Sequence, residues 1–164
     1  MPNHVDQDLI ITGSSETLKE FMAFAEEKEC LLSANKFIPY PEEFSRLDEI
    51  SEVERKKGNY LVKDGFNSGG YQWCVQNWGT KWGIYQDSIK SKKLDNKNGR
   101  LKYNFQSAWA PALKIIDAMG KKFPDLTFDL KYFERGMQFK GHYIVKGDEV
   151  VKNKESKYSG RRGG

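Results

Sequence analysis

Leu126-Thr127-Phe128-Asp129-Leu130-Lys131-Tyr132 alternates apolar and polar side chains without a break. Successive side chains of a strand point to opposite faces, so this stretch predicts a half-buried β-strand with Leu126, Phe128, Leu130 and Tyr132 turned inward. Arg135-Gly136 supplies a tight turn, and Met137, Phe139, Tyr143 and Val145 continue on a partner strand. Gly147-Asp148 turns the chain into one more short strand at 149–151. Upstream, Leu101, Tyr103 and Phe105 alternate with Lys102, Asn104 and Gln106, a second half-buried strand. Between these strands Pro111 opens a helix whose apolar stripe is Ala112, Ile115, Ile116, Met119 and Phe123, and Pro124-Asp125 turns the chain after it.

The N-terminal part repeats the theme. Leu9 to Ile11 centres a short strand over 8–12, broken by Gly13. Ser14 or Ser15 caps the helix that follows, with Glu16 in its first turn and Leu18, Phe21, Met22 and Ala25 on one face. Cys30 to Leu32 is apolar and packs under the sheet. Pro39 and Pro41 each lack an amide donor, which makes 37–41 an extended connector or an edge. Phe44, Leu47, Ile50 and Val53 predict a surface helix over 42–57, a glycine-rich loop follows to Gly70, and 71–78 is helical with Tyr71, Cys74, Val75 and Trp78 on one side and Gly79 as its left-handed cap. A strand starts at 84–86, and 87–100 is a polar hairpin connection turned by Asn96, Asn98 and Gly99. The order strand, helix, strand, strand, helix, strand predicts an α+β, ferredoxin-like antiparallel sheet with two helices on one face and a helical insertion over about 42–83. Residues 1–151 form one domain, and 152–164 read as a disordered basic tail.

Composition limits the function classes. The chain has 164 residues, 38% hydrophobic and 30% charged, a soluble globular profile without a membrane-spanning run or a secretory signal. Two cysteines, Cys30 and Cys74, make no disulfide framework, so a cytoplasmic location with reduced thiols is expected. The net charge of +4 conceals a divide: residues 1–62 hold thirteen acids and seven bases, and residues 63–164 ten acids and twenty bases. Lys90, Lys92, Lys93, Lys97, Arg100 and Lys102 form one basic segment. Lys152, Lys154, Lys157, Arg161 and Arg162 form another. Such segments either attract a polyanion or an acidic protein, or serve as a solvated loop and tail.

Catalytic constellations are not evident. His4 and His142 are the only histidines, and Cys74 falls on an apolar helix face, where a thiol behaves as a small hydrophobe. No His/Cys cluster has ligand spacing, so neither a metal nor a cofactor is expected. Asp125, Asp129 and Glu134 read as a solvated sheet face. Asn67-Ser-Gly-Gly70 lacks a phosphate-loop signature. Ser159-Gly-Arg-Arg-Gly-Gly164 reads as low-complexity tail. The aromatic-rich stretch around Trp73, Trp78, Trp82 and the later Trp109 has two readings. With Asn77, Thr80 and Lys81 it forms a wall that stacks a base and holds its phosphate, or it pins the inserted helix to the sheet.

Trp73-Cys-Val-Gln-Asn-Trp-Gly-Thr-Lys-Trp82, preceded by Phe37-Ile-Pro-Tyr-Pro41 and followed by Ser107-Ala-Trp-Ala-Pro111, Phe123-Pro-Asp-Leu-Thr127 and Tyr132-Phe-Glu-Arg-Gly136, resembles the YubB-like family of plasmid and phage proteins. Met1-Pro2-Asn3 matches as well, whereas the family's usual continuation Trp-Cys-Ser-Asn is replaced here by His4-Val5-Asp6-Gln7. The resemblance, over about residues 1–145, implies a ferredoxin-like domain and a mobile-element origin, and it implies no enzymatic activity. Two functions follow as expectations. One is a non-enzymatic accessory protein that binds a host protein, such as a component of host defence, and inhibits it. The other is a direct nucleic-acid binder using the basic patch and aromatic residues.

Overall fold

The computed structural model describes residues 3–85, 89 and 91–159, without the side chain of residue 91. Its sheet is antiparallel throughout. β1 (His4–Thr12) lies at the centre, between β4 (Arg100–Ala108) and β5 (Thr127–Glu134). β3 (Ser91–Asp95) pairs with the outer side of β4, and a two-residue β2 (Ile84–Tyr85) pairs with the same side of β4 near its end. The order β3-β4-β1-β5, with helix α1 (Ser15–Ala25) after β1 and helix α5 (Leu113–Lys122) after β4, is the ferredoxin-like arrangement. β6 (Phe139–Lys146) and β7 (Glu149–Lys157) extend that sheet beyond β5 as a meander, giving seven strands.

Strict alternation decides which face is buried. Val5, Leu9 and Ile11 of β1, Leu101, Tyr103 and Phe105 of β4, and Phe128, Leu130 and Tyr132 of β5 all turn toward the helices. Leu18, Phe21 and Ala25 of α1 and Ile115, Ile116 and Met119 of α5 close over them. Phe21 sits at the middle, with ring contacts to Phe37, Tyr103, Phe123 and Phe128. Each such fully buried side chain contributes about 1.5–3 kcal/mol of transfer free energy. Ser14 caps α1 by accepting the Thr17 amide at 3.1 Å.

Between α1 and β2 lies the insertion: a four-residue helix α2 (Ala34–Phe37), a long helix α3 (Glu42–Lys56), a short 3-10 turn at Phe66–Ser68 and helix α4 (Gly70–Asn77). Asp48 of α3 joins its parts, accepting the Phe66 amide at 2.9 Å and the Tyr40 hydroxyl at 3.3 Å.

Several expectations need correction. The extended segment expected over 37–41 starts one residue later, because Phe37 closes α2. β3 occupies much of what reads as a polar connection, because Leu94 packs against the core while its neighbours are charged. Val75 of α4 faces outward, and Gly70 takes the buried place beside Cys74. The expected disordered tail is a strand as far as Lys157, held by a ladder to β6 from Phe139↔Lys157 to Lys146↔Glu149 with one bulge at Val151. Polar composition hides an edge strand, since it buries neither face.

Candidate functional site

The helix-free face of the sheet is set out in rows by strand register. Phe133, Lys140 and Ser156 lie opposite one another across β5, β6 and β7. Lys131, His142 and Lys154 form the next row, and Asp129, Ile144 and Lys152 the one after. Side chains opposite one another on one face are about 4.5–5.5 Å apart at Cβ, so residues far apart in sequence converge. Lys131, Lys140, Lys152, Lys154, His142 and Ser156 surround an open cleft of about 350 Å³, with Asp8 of β1 opposite Lys131 at its margin. Among the described residues none of these four lysines is in an ion pair. His142 Nε2 lies 2.8 Å from Asp129 Oδ1. On the neighbouring strands the polar side chains satisfy one another: Gln106 donates to Asp6 at 2.8 Å and Asn104 to Asp8. The cleft is thus cationic, and an anion is what it can hold.

The sequence points elsewhere for its basic patch. Lys92 turns to the helix side and pairs with Glu26. Lys93, Lys102 and Arg100 share the open face, with Lys93 opposite Lys102 and Arg100 opposite Asp95. Lys97 is at the hairpin tip, where Asp95 accepts its amide at 3.1 Å. Lys90, Arg161 and Arg162 lie outside the described residues. The five described members, Lys92, Lys93, Lys97, Arg100 and Lys102, are therefore not one surface, and they sit toward the edge of the sheet opposite to the cleft. The cleft lysines carry only a partial sequence signal: Lys131 occupies an outward position of an alternating strand, whereas Lys152 and Lys154 are on a strand exposed throughout. It becomes readable only once 149–157 is recognised as a strand.

The tryptophan cluster divides in two. Trp78 is buried, donates its indole N–H to the Ile38 carbonyl at 2.9 Å and stacks on Tyr40. Trp73 meets Trp78 edge-on at 5.1 Å. Asn77 donates to the Trp73 carbonyl at 2.9 Å, and buried Thr80 accepts the Gly83 amide at 2.8 Å. These contacts knit the insertion internally, and Trp78, with Trp73 packed beside it, joins the buried core. The other three form a surface group: the Lys81 ammonium sits 4.9 Å from the Trp82 ring and 4.8 Å from the Trp109 ring, and Tyr71 meets Trp109 edge-on. Trp109 is 41% exposed and has φ +71°, a left-handed conformation uncommon for a bulky residue. A buried network fixes that turn. Gln7 donates to Ser107 at 2.6 Å and accepts the Ala112 amide at 3.0 Å, while Trp109 donates its own amide to Asn3 at 2.8 Å. Nothing in the apolar pattern of β1 singles out Gln7 as the buried polar member.

Cys74 is buried, and desolvation, with the Asp48 carboxylate adding to it, pushes its thiol up to about 11. Glu134 is not on a solvated face, contrary to expectation. It is buried and accepts the amides of Gly136, at 2.8 Å, and Met137, closing the β5–β6 turn. Among the described residues no group of three or more His, Cys, Asp or Glu side chains is placed to hold a metal ion, and no helix is long and apolar enough to cross a membrane.

No curated protein matches the chain. The crystal structure of protein Api92 from Yersinia pseudotuberculosis matches it with a TM-score of 0.58 at 9% identity, over 99% of this chain and 100% of that one. Residues 81–161 match the family model described as the ferredoxin-like domain in Api92-like protein, so that domain is what the second half of the chain resembles in sequence, as Api92 is what nearly the whole chain resembles in fold.

Proposed function

We propose that this is a non-enzymatic binding protein, an accessory factor of a mobile element, whose working surface is the cationic cleft on the open sheet face and whose partner is the phosphate backbone of a nucleic acid. The observation that carries this reading is the convergence of Lys131, Lys140, Lys152 and Lys154 on one face that no helix covers. Paired strands fix the spacing of their Cα atoms, and the flexible side chains bring four ammonium groups to a row of phosphates. β1 has no Phe, Tyr or Trp and the rings of β4, Tyr103 and Phe105, are turned into the core, so these two central strands do not present the ring pair of an RNA-recognition sheet, and backbone contact is the principal term. The mobile-element part of the reading rests on the YubB-like resemblance.

A salt titration by fluorescence anisotropy with a labelled oligonucleotide tests it. Binding is expected to weaken with a log–log slope of about −3 to −4, as neutralisation of roughly four phosphates requires. Converting Lys152 and Lys154 to Glu flattens the slope by about two. Absence of binding at low salt ends the reading.

A second reading, a host-protein partner in a defence pathway, is favoured by α3. Leu47, Ile50 and Val53 line its outer side, Ile50 at 46% and Val53 at 50% exposure, among the acids Glu43, Glu49 and Glu52. Scattered exposed apolar residues are ordinary, but a ridge along one helix marks a contact surface, and its acids fit a basic partner. Ile50→Glu is expected to abolish capture of that partner from host lysate. Recovery of the same proteins by wild type and variant removes the reading.

A further inference from the structure

Beside the cleft lysines the open face carries an aromatic pair, Phe133 with Tyr158. Phe133 faces out of the sheet, yet it is buried, because Tyr158 lies over it. The two rings are stacked, 5.8 Å between centroids and 20° between planes. Tyr158 follows directly on β7 and is fixed by its amide, which donates to the Gln138 carbonyl at 2.8 Å. Gln138 in turn holds φ +59° in the β5–β6 turn. The Arg135 guanidinium lies 6.0 Å from the Phe133 ring. Phe133 therefore acts as a backing plate, and Tyr158, stacked on one side and partly exposed, is the ring that a ligand can reach.

Register places this ring pair at one end of the cleft, which Phe133 lines. Phe133 is directly opposite Lys140, and Lys140 directly opposite Ser156, two residues before Tyr158. Lys131 and Lys154 are in the adjoining row, one same-face step along the strands, or about 6–7 Å. A flat apolar ring held rigidly at the end of a row of ammonium groups has the two elements that single-stranded nucleic acid requires, charge for the backbone and a π face for an unstacked base. Paired bases in a duplex are stacked on one another and cannot lie on such a ring.

We propose that Tyr158 is a base-stacking platform and that the cleft prefers single-stranded over double-stranded nucleic acid. This rests on the phosphate-binding reading of the same cleft. The chemistry is sequence-tolerant, since every base has a π face, and it uses Tyr158 through its ring and not through its hydroxyl.

The test measures three labelled ligands against the full chain by anisotropy: a single-stranded oligonucleotide, the duplex of the same sequence, and heparin, a polyanion without bases. Tyr158→Leu is expected to weaken single-strand binding about 5–100-fold, the worth of one stacked base, and to leave duplex and heparin within twofold of wild type. Tyr158→Phe keeps the single-strand affinity, and thermal melts of both variants report the fold. Equal losses on all three ligands, or no loss on the single strand, overturn the inference while leaving the phosphate reading intact. Wild type that binds none of the three sinks the reading beneath it and the inference together.

Discussion

Gly141 shows how a single residue shapes the sheet beside the cleft. It faces Tyr132 across the β5–β6 ladder, and the Tyr132 ring lies over it so closely that an added Cβ would come within 2.1 Å of Cζ. With the ring there, the Tyr132 hydroxyl reaches across to Glu155 of β7 at 3.1 Å. One glycine thus lets β5 touch β7 over the back of β6 and helps hold the edge strand that supplies Lys152 and Lys154. Gly141→Ala must push the ring aside. A loss of about 1–3 kcal/mol is expected from such overpacking, read from urea unfolding by circular dichroism. An unchanged midpoint would show that the ring has room to move. The sequence offers Gly141 as an ordinary strand glycine, because the contact that requires it belongs to another strand.

At the scale of elements, legibility follows burial. α1, α5, β4 and β5 each bury one face, and their apolar spacing shows it directly. α3 shows the limit. Phe44, Leu47, Ile50 and Val53 recur every three residues, but a helix turns about 100° per residue, so each step of three falls about 60° short of a full turn. Over three steps the stripe winds about half way round. The structure resolves this by turning Phe44, Asp48 and Ser51 inward and leaving Leu47, Ile50 and Val53 outside. β7 is the opposite case. All nine of its residues are exposed, so selection for a buried face leaves no apolar pattern, and its lysines are also what blunts a free edge. β3 is intermediate, with Leu94 as its one apolar anchor.

For the molecule as a whole, the core's ionisable groups predict an alkaline limit. Burial raises Tyr103 well above the ordinary phenol range, and Tyr40 and Tyr143 are raised by burial and by the carboxylates of Asp48 and Asp117. Tyr132 is raised to about 12 by burial and Glu155, and Cys74 to about 11. Groups whose folded-state pKa exceeds the unfolded value contribute stability that is fully present below the unfolded value, near 8.5 for the thiol and 10 for the phenols, and is lost as pH rises through the folded value. Thermal stability is therefore expected to fall above about pH 9 and steeply above about pH 10, with phenolate absorbance appearing together with loss of the fold. Phenolate formation by every tyrosine near pH 10 in a chain that keeps its circular dichroism would contradict this.

The divide between acidic and basic halves, the alternating strands and the two helical stripes were all determined by the sequence itself, because charge count and side-chain period are local properties. Tertiary structure alone decided which lysines meet. Lys131, Lys140, Lys152 and Lys154 come from three strands, and only the antiparallel register of β5, β6 and β7 puts them around one cleft. Register is fixed by contacts between strands, the Tyr132–Gly141 pair among them, and no window along the chain contains both partners of such a contact.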